Sequence, residues 1–229
     1  MSARPQLIYF DVRGRAEPIR LLLAEVGADY DDFQIPRDQW PELKPRTPFQ
    51  RLPIYREGTV EIPETFAILA YLGRKHGLLG DDEATHTRCD ITIEAWRDYD
   101  NRVSKVFLDE PTSAEAQARF IESELPQRLA DLEAFYAVNA DNADNAPFWV
   151  GESLTIADIA AFHFLAGILV DHAAVLSRFP RLESFLTEFS ARPRIHAYLN
   201  SDRRPAAQYF TRDGQKVYPR APASDPPSA

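Results

Sequence analysis

The first third of the chain switches quickly between strand-like and helix-like patterns. An apolar run of β-formers over 7–10 predicts a strand, and apolar positions at helical spacing over 17–26 predict the helix that follows. Gly27 is placed to end that helix. Residues 30–35 have the length and composition of a second strand. The segment 36–49 contains four prolines, which predicts an irregular loop with at most a short helix.

A hairpin and a helix complete this region. Leu52 to Tyr55 and Val60 to Ile62 flank Glu57-Gly58, which is typical of two strands joined by a tight turn. The spacing then predicts a helix over 65–76 that ends at Gly77, with its buried face formed by Phe66, Leu69, Tyr71 and Leu72. The order strand, helix, strand, loop, hairpin, helix favours an α/β sheet layered by helices.

The remainder of the chain shows helical periodicity. Residues 77–86, rich in glycine and acidic side chains, predict a linker, which divides the chain into domains at 1–77 and 86–200. Segments predicted as helical are 91–108, 120–138, a segment starting at Thr155, 182–191 and 194–200, with a polar loop over 139–147. From Ser201 to Ala229 there are several prolines and no periodicity, so we expect an extended or disordered tail.

Thr155 gives a strong helix start signal. Its hydroxyl can cap the amide of Asp158 while the Asp158 carboxylate reaches back, and Leu154 and Ile159 are spaced as a hydrophobic staple. Such a cap contributes about 1 kcal/mol to helix stability.

Charge and composition limit the partners, the compartment and the kinds of site to be expected. The net charge of -9 argues against nucleic acid or anionic membranes as partners. Cys89 is the only cysteine, which excludes an internal disulfide and favours a reducing compartment. No signal-peptide pattern and no apolar run near 20 residues is present, so we expect a cytoplasmic protein. The histidines lack ligand spacing, and we expect no metal.

The candidate chemistry lies at the junction of the first strand and helix. Tyr9 is close to the end of the strand, Gly14 permits a sharp turn, and Arg13 and Arg15 add positive charge beside the start of the helix. A phenol in that position can donate a hydrogen bond to a thiolate, a carboxylate or a phosphate. The alternative is a core tyrosine beside arginines on the surface.

From about residue 5 to 200 the chain resembles the cytosolic glutathione transferases of the tyrosine type, the sigma, pi and mu classes. The Trp40 segment is most similar to the sigma class. The resemblance rests on the order and spacing of Tyr9-Phe10, Arg13 to Glu17, Trp40 to Lys44, Pro48-Phe49, Leu52-Pro53, Glu64-Thr65, Ala67-Ile68, Tyr71-Leu72, Thr155 to Asp158 and Ala191 to Pro193.

The resemblance implies a thioredoxin-like α/β N-terminal domain and an all-α C-terminal domain, with glutathione as co-substrate. Tyr9 would stabilise the glutathione thiolate, and Arg15 would support the positive field around the sulfur. The thiolate is the nucleophile, and a free thiol with a pKa near 8.5 is only about 3% ionised at neutral pH.

The resemblance also implies how the rest of glutathione is held. Trp40 and Lys44 would hold the glycine end, the Leu52 backbone would pair with the cysteinyl unit beside a cis Pro53, and Thr65 would receive the γ-glutamyl carboxylate at a helix N-terminus. The alternatives are that Trp40 covers the loop, that Pro53 is trans at a sheet edge and that Thr65 is an unoccupied helix cap.

Two positions depart from the family pattern. Gln50-Arg51 replaces the common Gly-Gln, and Glu64-Thr65 replaces the common Gln-Ser. Glu64 could face the ligand's ammonium group. Arg51 could bind the glycine carboxylate or point into solvent.

The same resemblance implies a homodimer and an apolar second-substrate site. Phe49 matches an aromatic that in some related classes enters the neighbouring subunit, although a buried role in its own chain is the alternative. Asp98 matches an aspartate that reaches across the dimer to the γ-glutamyl ammonium, whereas Asp100 is expected to point elsewhere. Val103 and Phe107 share a helix face that would meet the electrophile or serve only as core.

Two functions follow from these features. The first is an enzyme that conjugates glutathione to small apolar electrophiles. The second is a non-catalytic binding or structural relative of such enzymes, and turnover with a generic electrophile distinguishes them.

Overall fold

The computed structural model describes residues 4–107, 113–142, 147–210 and 215–217. The N-terminal part contains β1 (Gln6–Phe10), α1 (Glu17–Glu25), β2 (Asp31–Ile35), α2 (Trp40–Leu43), β3 (Ile54–Glu57), β4 (Val60–Pro63) and α3 (Thr65–His76). The C-terminal part contains α4 (Glu83–Phe107), α5 (Ala114–Arg119), α6 (Leu125–Asn142), α7 (Ile156–Leu176), α8 (Pro180–Ser190), α9 (Pro193–Leu199), β5 (Tyr209–Phe210) and β6 (Lys216–Val217).

The N-terminal strands form one mixed sheet in the order β2-β1-β3-β4. β1 runs parallel to β2 and antiparallel to β3, and β3 and β4 form the predicted hairpin. In the pairing of β1 with β3, Ile8 lies opposite Ile54, the first residue of β3. Tyr9 therefore lies just beyond the end of that pairing and still pairs with Gln34 of β2, one residue before β1 ends.

α3 matches the predicted bounds, but its buried face is displaced. Leu69 and Leu72 are fully buried as expected, and so is Ile68. Phe66 and Tyr71 are only partly buried against the core. Thr65, the first residue of α3, is also buried, which brings the start of this helix toward the turn after β1.

The helical part is built around α7 and an aromatic core. α4 and α8 pack against α7, and the ring of Trp96 contacts the rings of Trp149 and Phe164 at centroid distances of 5.6 and 5.4 Å. The predicted cap of α7 is confirmed: the Thr155 amide donates to the Asp158 carboxylate at 2.7 Å, and the Thr155 hydroxyl completes the capping box.

The two parts of the chain are joined through α1, which contacts both α7 and α9. Buried charges strengthen this junction. Glu17 accepts from the Tyr198 hydroxyl at 2.9 Å and from Arg204 at 2.7 Å. Within the N-terminal part, Arg20 donates to Asp32 at 2.9 Å.

α4 begins earlier than its apolar periodicity predicts. The prediction started the helix at Ile91 and left 77–86 as a linker, whereas α4 begins at Glu83. The reason is a local cap: the Thr85 amide donates to the Asp82 side chain at 2.7 Å, and the Asp82 amide donates to the Thr85 hydroxyl at 3.1 Å. The first turns of α4 are polar and largely exposed, so apolar spacing does not reveal them. The predicted end at Leu108 lies outside the described residues.

The helix predicted over 120–138 is longer and interrupted. A π-helical turn at Phe120–Glu124 joins α5 to α6, and α6 continues to Asn142. The prediction of a polar loop over 139–147 is therefore wrong for residues 139–142, which belong to α6. The Asn139 side chain bonds the backbone of Phe148 and Gly151, which explains a polar residue at that point in a helix. Residues 143–146 lie outside the described residues.

The segment after α9 folds back on the N-terminal part, where the Gly14 amide donates to the Gln208 carbonyl at 2.8 Å. Gln208 donates its amide to the Val217 carbonyl at 2.7 Å, and β5 pairs antiparallel with β6.

In the parts of the chain that the structure describes, no helix combines the length and apolar character needed to cross a bilayer.

Candidate active site

Tyr9 occupies the predicted position at the end of β1 and is 8% exposed. Its hydroxyl oxygen accepts a hydrogen bond from the Arg15 backbone amide at 3.1 Å. With the oxygen already engaged as an acceptor, the hydroxyl proton is available for another acceptor. The arrangement therefore suits a phenol that donates to an anion.

Burial raises the pKa of Tyr9 above its ordinary value of 10.0. The Arg15 amide and the charges of Arg15 and Arg20 act in the opposite direction, and the Arg20 guanidinium carbon lies 5.9 Å from the centre of the ring. Because the raised pKa is well above neutrality, Tyr9 keeps its proton at physiological pH and acts as a donor.

Gly14 permits the close approach of Tyr9 to the turn. Its φ is +39°, and a Cβ atom at this position would lie 2.6 Å from the Tyr9 hydroxyl oxygen. Glycine is thus required both by the backbone conformation and by the space that the phenol occupies.

The Arg15 side chain turns from the N-terminal domain to α4. Its Nε donates to Asp100 Oδ2 at 2.9 Å, and its terminal nitrogen donates to the Ser104 hydroxyl at 3.3 Å. Burial raises the pKa of Asp100, while the charge and hydrogen bond of Arg15 act to lower it. One residue therefore contributes its backbone to Tyr9 and its side chain to the helical domain.

Asp100, not Asp98, lies beside the predicted catalytic residues. Asp98 accepts from Arg128 at 2.6 Å, and its side chain is 69% exposed. Asp100 points in a different direction from Asp98, as expected, but it is Asp100 that meets Arg15. Helical geometry explains why: at about 100° per residue, Asp100 lies roughly 60° from Val103 around the helix and Asp98 roughly 140°.

Thr65 is connected to the same turn. Its hydroxyl donates to the Arg15 carbonyl at 2.9 Å, so both backbone polar groups of Arg15 are engaged, one by Tyr9 and one by Thr65. The preceding residue, Glu64, is exposed and has a φ of +70°. Such a conformation is uncommon outside glycine and often marks ligand sites.

Aromatic side chains connect Tyr9 to the predicted site for the glycine end of glutathione. The Tyr9 and Phe10 rings lie 5.5 Å apart, and the Phe10 and Trp40 rings lie 5.5 Å apart in an edge-to-face arrangement. Lys44 is exposed at the C-terminal end of α2, and Arg51 is exposed on extended backbone. The Leu52-Pro53 peptide bond is cis, as the resemblance implies.

Both parts of the chain match models of one protein family. The model of the glutathione S-transferase N-terminal domain matches residues 5–74, and that of the C-terminal domain matches residues 97–202. The chain belongs to the glutathione S-transferase family. A relative named glutathione S-transferase P from Caenorhabditis elegans is 33% identical over 195 residues, which cover 85% of this chain and 91% of the relative.

Two further relatives support the assignment to glutathione S-transferases. A glutathione S-transferase from Dirofilaria immitis is 34% identical over 194 residues, which cover 84% of this chain and 90% of the relative. The solved structure of a Pi-class glutathione S-transferase from Onchocerca volvulus superposes with a TM-score of 0.78 at 30% identity, covering 86% and 92% of the two chains. Two predictions are confirmed. The fold combines a thioredoxin-like domain with an all-helical domain, and the enzyme is a glutathione S-transferase.

Phe49 stands out on the surface of this glutathione S-transferase. Its side chain is 73% exposed, and both Phe49 and Gln50 adopt positive φ values, 51° and 54°. The alternative of a buried role within its own chain is therefore wrong. The loop holds a large apolar side chain out in solvent.

A cleft of about 250 Å³ lies between α4 and α6. Its apolar lining is provided by Ile91, Ala95, Leu132, Phe135 and Trp149. Asp98 and Arg128, the ion pair described above, also line this cleft. Asp98 thus belongs to the cleft in this chain.

Val103 and Phe107 lie on the face of α4 that meets Arg15. Asp100, Val103, Ser104 and Phe107 follow the spacing of residues that share one side of a helix. Both apolar residues are half-buried, and the Phe107 ring packs on Phe120 at 5.7 Å and on His172 at 6.4 Å. This face therefore takes part in core packing, and its role as the wall of a second-substrate site stays a prediction.

Within 4–107, 113–142, 147–210 and 215–217, no group of three or more histidine, cysteine or acidic side chains is close enough to hold an ion. Cys89 is buried, and burial raises the pKa of its thiol to about 11.

Proposed function

We propose that Tyr9 donates a hydrogen bond to the sulfur of bound glutathione and so stabilises the thiolate that attacks the electrophile. The supporting observation is the Arg15 amide at 3.1 Å, which occupies the phenol oxygen as acceptor and leaves the proton for the ligand. Burial keeps that proton in place by raising the pKa of Tyr9.

The required stabilisation is modest. Lowering the pKa of the glutathione thiol by two units takes about 2.7 kcal/mol of preferential interaction with the anion. A hydrogen bond to a charged group contributes about 1.5 to 3 kcal/mol. The positive end of the helix dipole and the Arg15 guanidinium supply the remainder.

The tripeptide would lie across the N-terminal domain. In this proposal Trp40 and Lys44 hold the glycine end, and Arg51 adds a second cation for the same carboxylate. The backbone of Leu52 beside Pro53 pairs with the cysteinyl unit. Glu64 faces the γ-glutamyl ammonium.

The γ-glutamyl carboxylate would bind at the start of α3. Because the Thr65 hydroxyl donates its proton to the Arg15 carbonyl, the backbone amides of the first turn are the better donors for this carboxylate. Thr65 then acts mainly by holding the helix start against the catalytic turn.

The electrophile would lie between Tyr9 and the face of α4 that carries Val103 and Phe107. Attack by the sulfur forms a carbon–sulfur bond, and the leaving group departs with its electron pair. An apolar wall favours apolar electrophiles, since it offers burial of apolar surface and little hydrogen bonding.

We further propose a homodimer in which Phe49 of one subunit fills the cleft between α4 and α6 of the other. The exposed, conformationally strained aromatic and an apolar cleft of about 250 Å³ complement each other. A two-fold arrangement uses the contact twice. Asp98 lines this cleft, so its proposed contact with glutathione would reach the neighbouring subunit from the dimer interface.

Class and location are proposed from the same observations. A buried Tyr9 hydroxyl at the strand end favours the tyrosine type, and the Trp40 segment favours a sigma-like member. The single cysteine favours a reducing compartment, which agrees with the cytoplasm.

The proposal is tested by glutathione-affinity retention and by turnover of a chloronitrobenzene electrophile with the wild type and Tyr9→Phe. We expect both proteins to be retained and the variant to turn over ten- to a hundredfold more slowly, about 1.4 to 2.7 kcal/mol. Retention without turnover of any of several electrophiles by the wild type would favour the non-catalytic alternative instead.

A further inference from the structure

The chain that follows α9 runs directly along the catalytic turn. The Arg13 amide donates to the Ala207 carbonyl at 2.9 Å, and the Gly14 amide donates to the Gln208 carbonyl at 2.8 Å. The Arg13 side chain donates to the Pro205 carbonyl at 2.9 Å. We call residues 204–208 the strap. It lies beyond residue 202, where the match to the family's C-terminal domain ends.

The strap provides the acceptors for two of the three turn amides. Three consecutive amides, those of Arg13, Gly14 and Arg15, point at defined acceptors. The first two bond the strap, and the third bonds the Tyr9 hydroxyl. Because consecutive peptide planes are linked by only two soft dihedrals per residue, fixing the first two planes restricts the direction of the third.

Anchors lie on both sides of the turn. On one side, Arg204 donates to the buried Glu17 at 2.7 Å, at the start of α1. On the other side, Lys216 of β6 pairs with Asp11, directly after β1. Since the Gln208 amide bonds the Val217 carbonyl, β6 and the strap are connected to each other.

We propose that the strap positions the Arg13–Arg15 turn so that the Arg15 amide is held on the Tyr9 hydroxyl, and that residues after the matched segment 97–202 therefore contribute to catalysis. This inference rests on the proposed role of Tyr9. The strap residues touch no reacting atom, and they act through the turn.

Two adjacent alanines provide a matched test. Ala207 is 2% exposed and carries one of the two acceptor carbonyls, whereas Ala206 is exposed. A leucine at 207 would push the strap from the turn, and a leucine at 206 would point into solvent. We expect Ala207→Leu to lower kcat about tenfold and to raise the pKa of the thiol of bound glutathione by about one unit. Ala206→Leu should match the wild type in both measurements.

A double-variant comparison separates positioning from loss of stability. If the strap acts by aiming the amide at the Tyr9 hydroxyl, Ala207→Leu should lower turnover at most about twofold in a Tyr9→Phe background. A further tenfold loss in that background would overturn the proposal, and so would an unchanged thiol pKa in Ala207→Leu. Should Ala207→Leu fail to fold in thermal unfolding, the smaller change Ala207→Val carries the same comparison.

The test also distinguishes this inference from the proposed role of Tyr9. Full turnover by Tyr9→Phe alone would remove Tyr9 from the mechanism. Impaired Tyr9→Phe together with a fully active, folded Ala207→Leu would leave the role of Tyr9 intact and contradict only the strap.

Discussion

Arg15 and Asp100 are 85 positions apart in sequence, and their side chains meet at 2.9 Å between Nε and Oδ2. The contact joins the turn after β1 to the C-terminal third of α4. At the same residue, the Arg15 backbone amide reaches the Tyr9 hydroxyl. The ion pair therefore connects the Arg15 amide, which donates to the Tyr9 hydroxyl, to α4, the helix that we propose faces the second substrate.

Asp100→Asn should impair turnover, because it removes the charged partner that holds Arg15. The Arg15 side chain is 43% exposed, so solvent weakens the pair, and we expect about a three- to tenfold loss in kcat, roughly 0.7 to 1.4 kcal/mol. Steady-state kinetics with glutathione and a chloronitrobenzene electrophile would measure the effect.

Asp98→Asn is the control for that change on the same helix. It lacks a contact with Arg15 and should leave kcat unchanged, although a role at the dimer interface would raise the Michaelis constant for glutathione. A normal kcat in Asp100→Asn would show that Arg15 needs no carboxylate partner.

Gly14→Ala should damage the site more than it damages the fold. The new methyl group would meet the Tyr9 hydroxyl at 2.6 Å and displace the phenol. We expect kcat to fall at least about tenfold, equivalent to about 1.4 kcal/mol or more. The positive φ of +39° adds a stability loss of about 1 kcal/mol, measurable by denaturant unfolding.

Gly58→Ala separates these two effects. Gly58 lies in the β3–β4 hairpin and also has a positive φ, +58°, but a Cβ atom added there would meet nothing within 4 Å. A comparable loss of stability with unchanged kcat is expected. Equal activity in the two variants would argue that Tyr9 tolerates displacement.

Phe49→Ser should weaken the proposed dimer. The side chain is 73% exposed in the single chain, and burying an aromatic ring in the cleft is worth about 1.5 to 3 kcal/mol per contact. Light scattering at micromolar concentration should show a mass shifted toward the monomer. Phe33→Ser, on an apolar side chain that is 48% exposed on β2, should remain dimeric. A monomeric wild type would contradict the dimer proposal directly.

Local patterns were sufficient for most of the N-terminal elements. Apolar spacing and turn residues correctly predicted β1, α1, the hairpin and the bounds of α3, because each of these elements is specified by neighbours in sequence. The cap at Thr155 was predicted for the same reason. The start of α4 was missed because its first turns depend on a polar cap at Asp82 and carry little apolar periodicity.

The arrangement of the site required tertiary information. Residue order alone does not show which carboxylate of α4 meets Arg15, although the face shared with Val103 would have favoured Asp100 over Asp98. The strap could not be predicted, because its contacts with the turn are made by backbone carbonyls, which any residue carries. The spacing of apolar residues gives no information about contacts of this kind.

The most direct test is the ultraviolet titration of glutathione bound to the wild type and to Tyr9→Phe. Because Tyr9 stays protonated, the only group expected to titrate between about pH 5 and 9 in this signal is the thiol. We predict a wild-type pKa near 6.5, about two units below that of free glutathione, and a value closer to about 8.5 in Tyr9→Phe. Glutathione affinity should be nearly equal in the two proteins. The same thiol pKa in both proteins would contradict the central claim that the Tyr9 hydroxyl stabilises the thiolate.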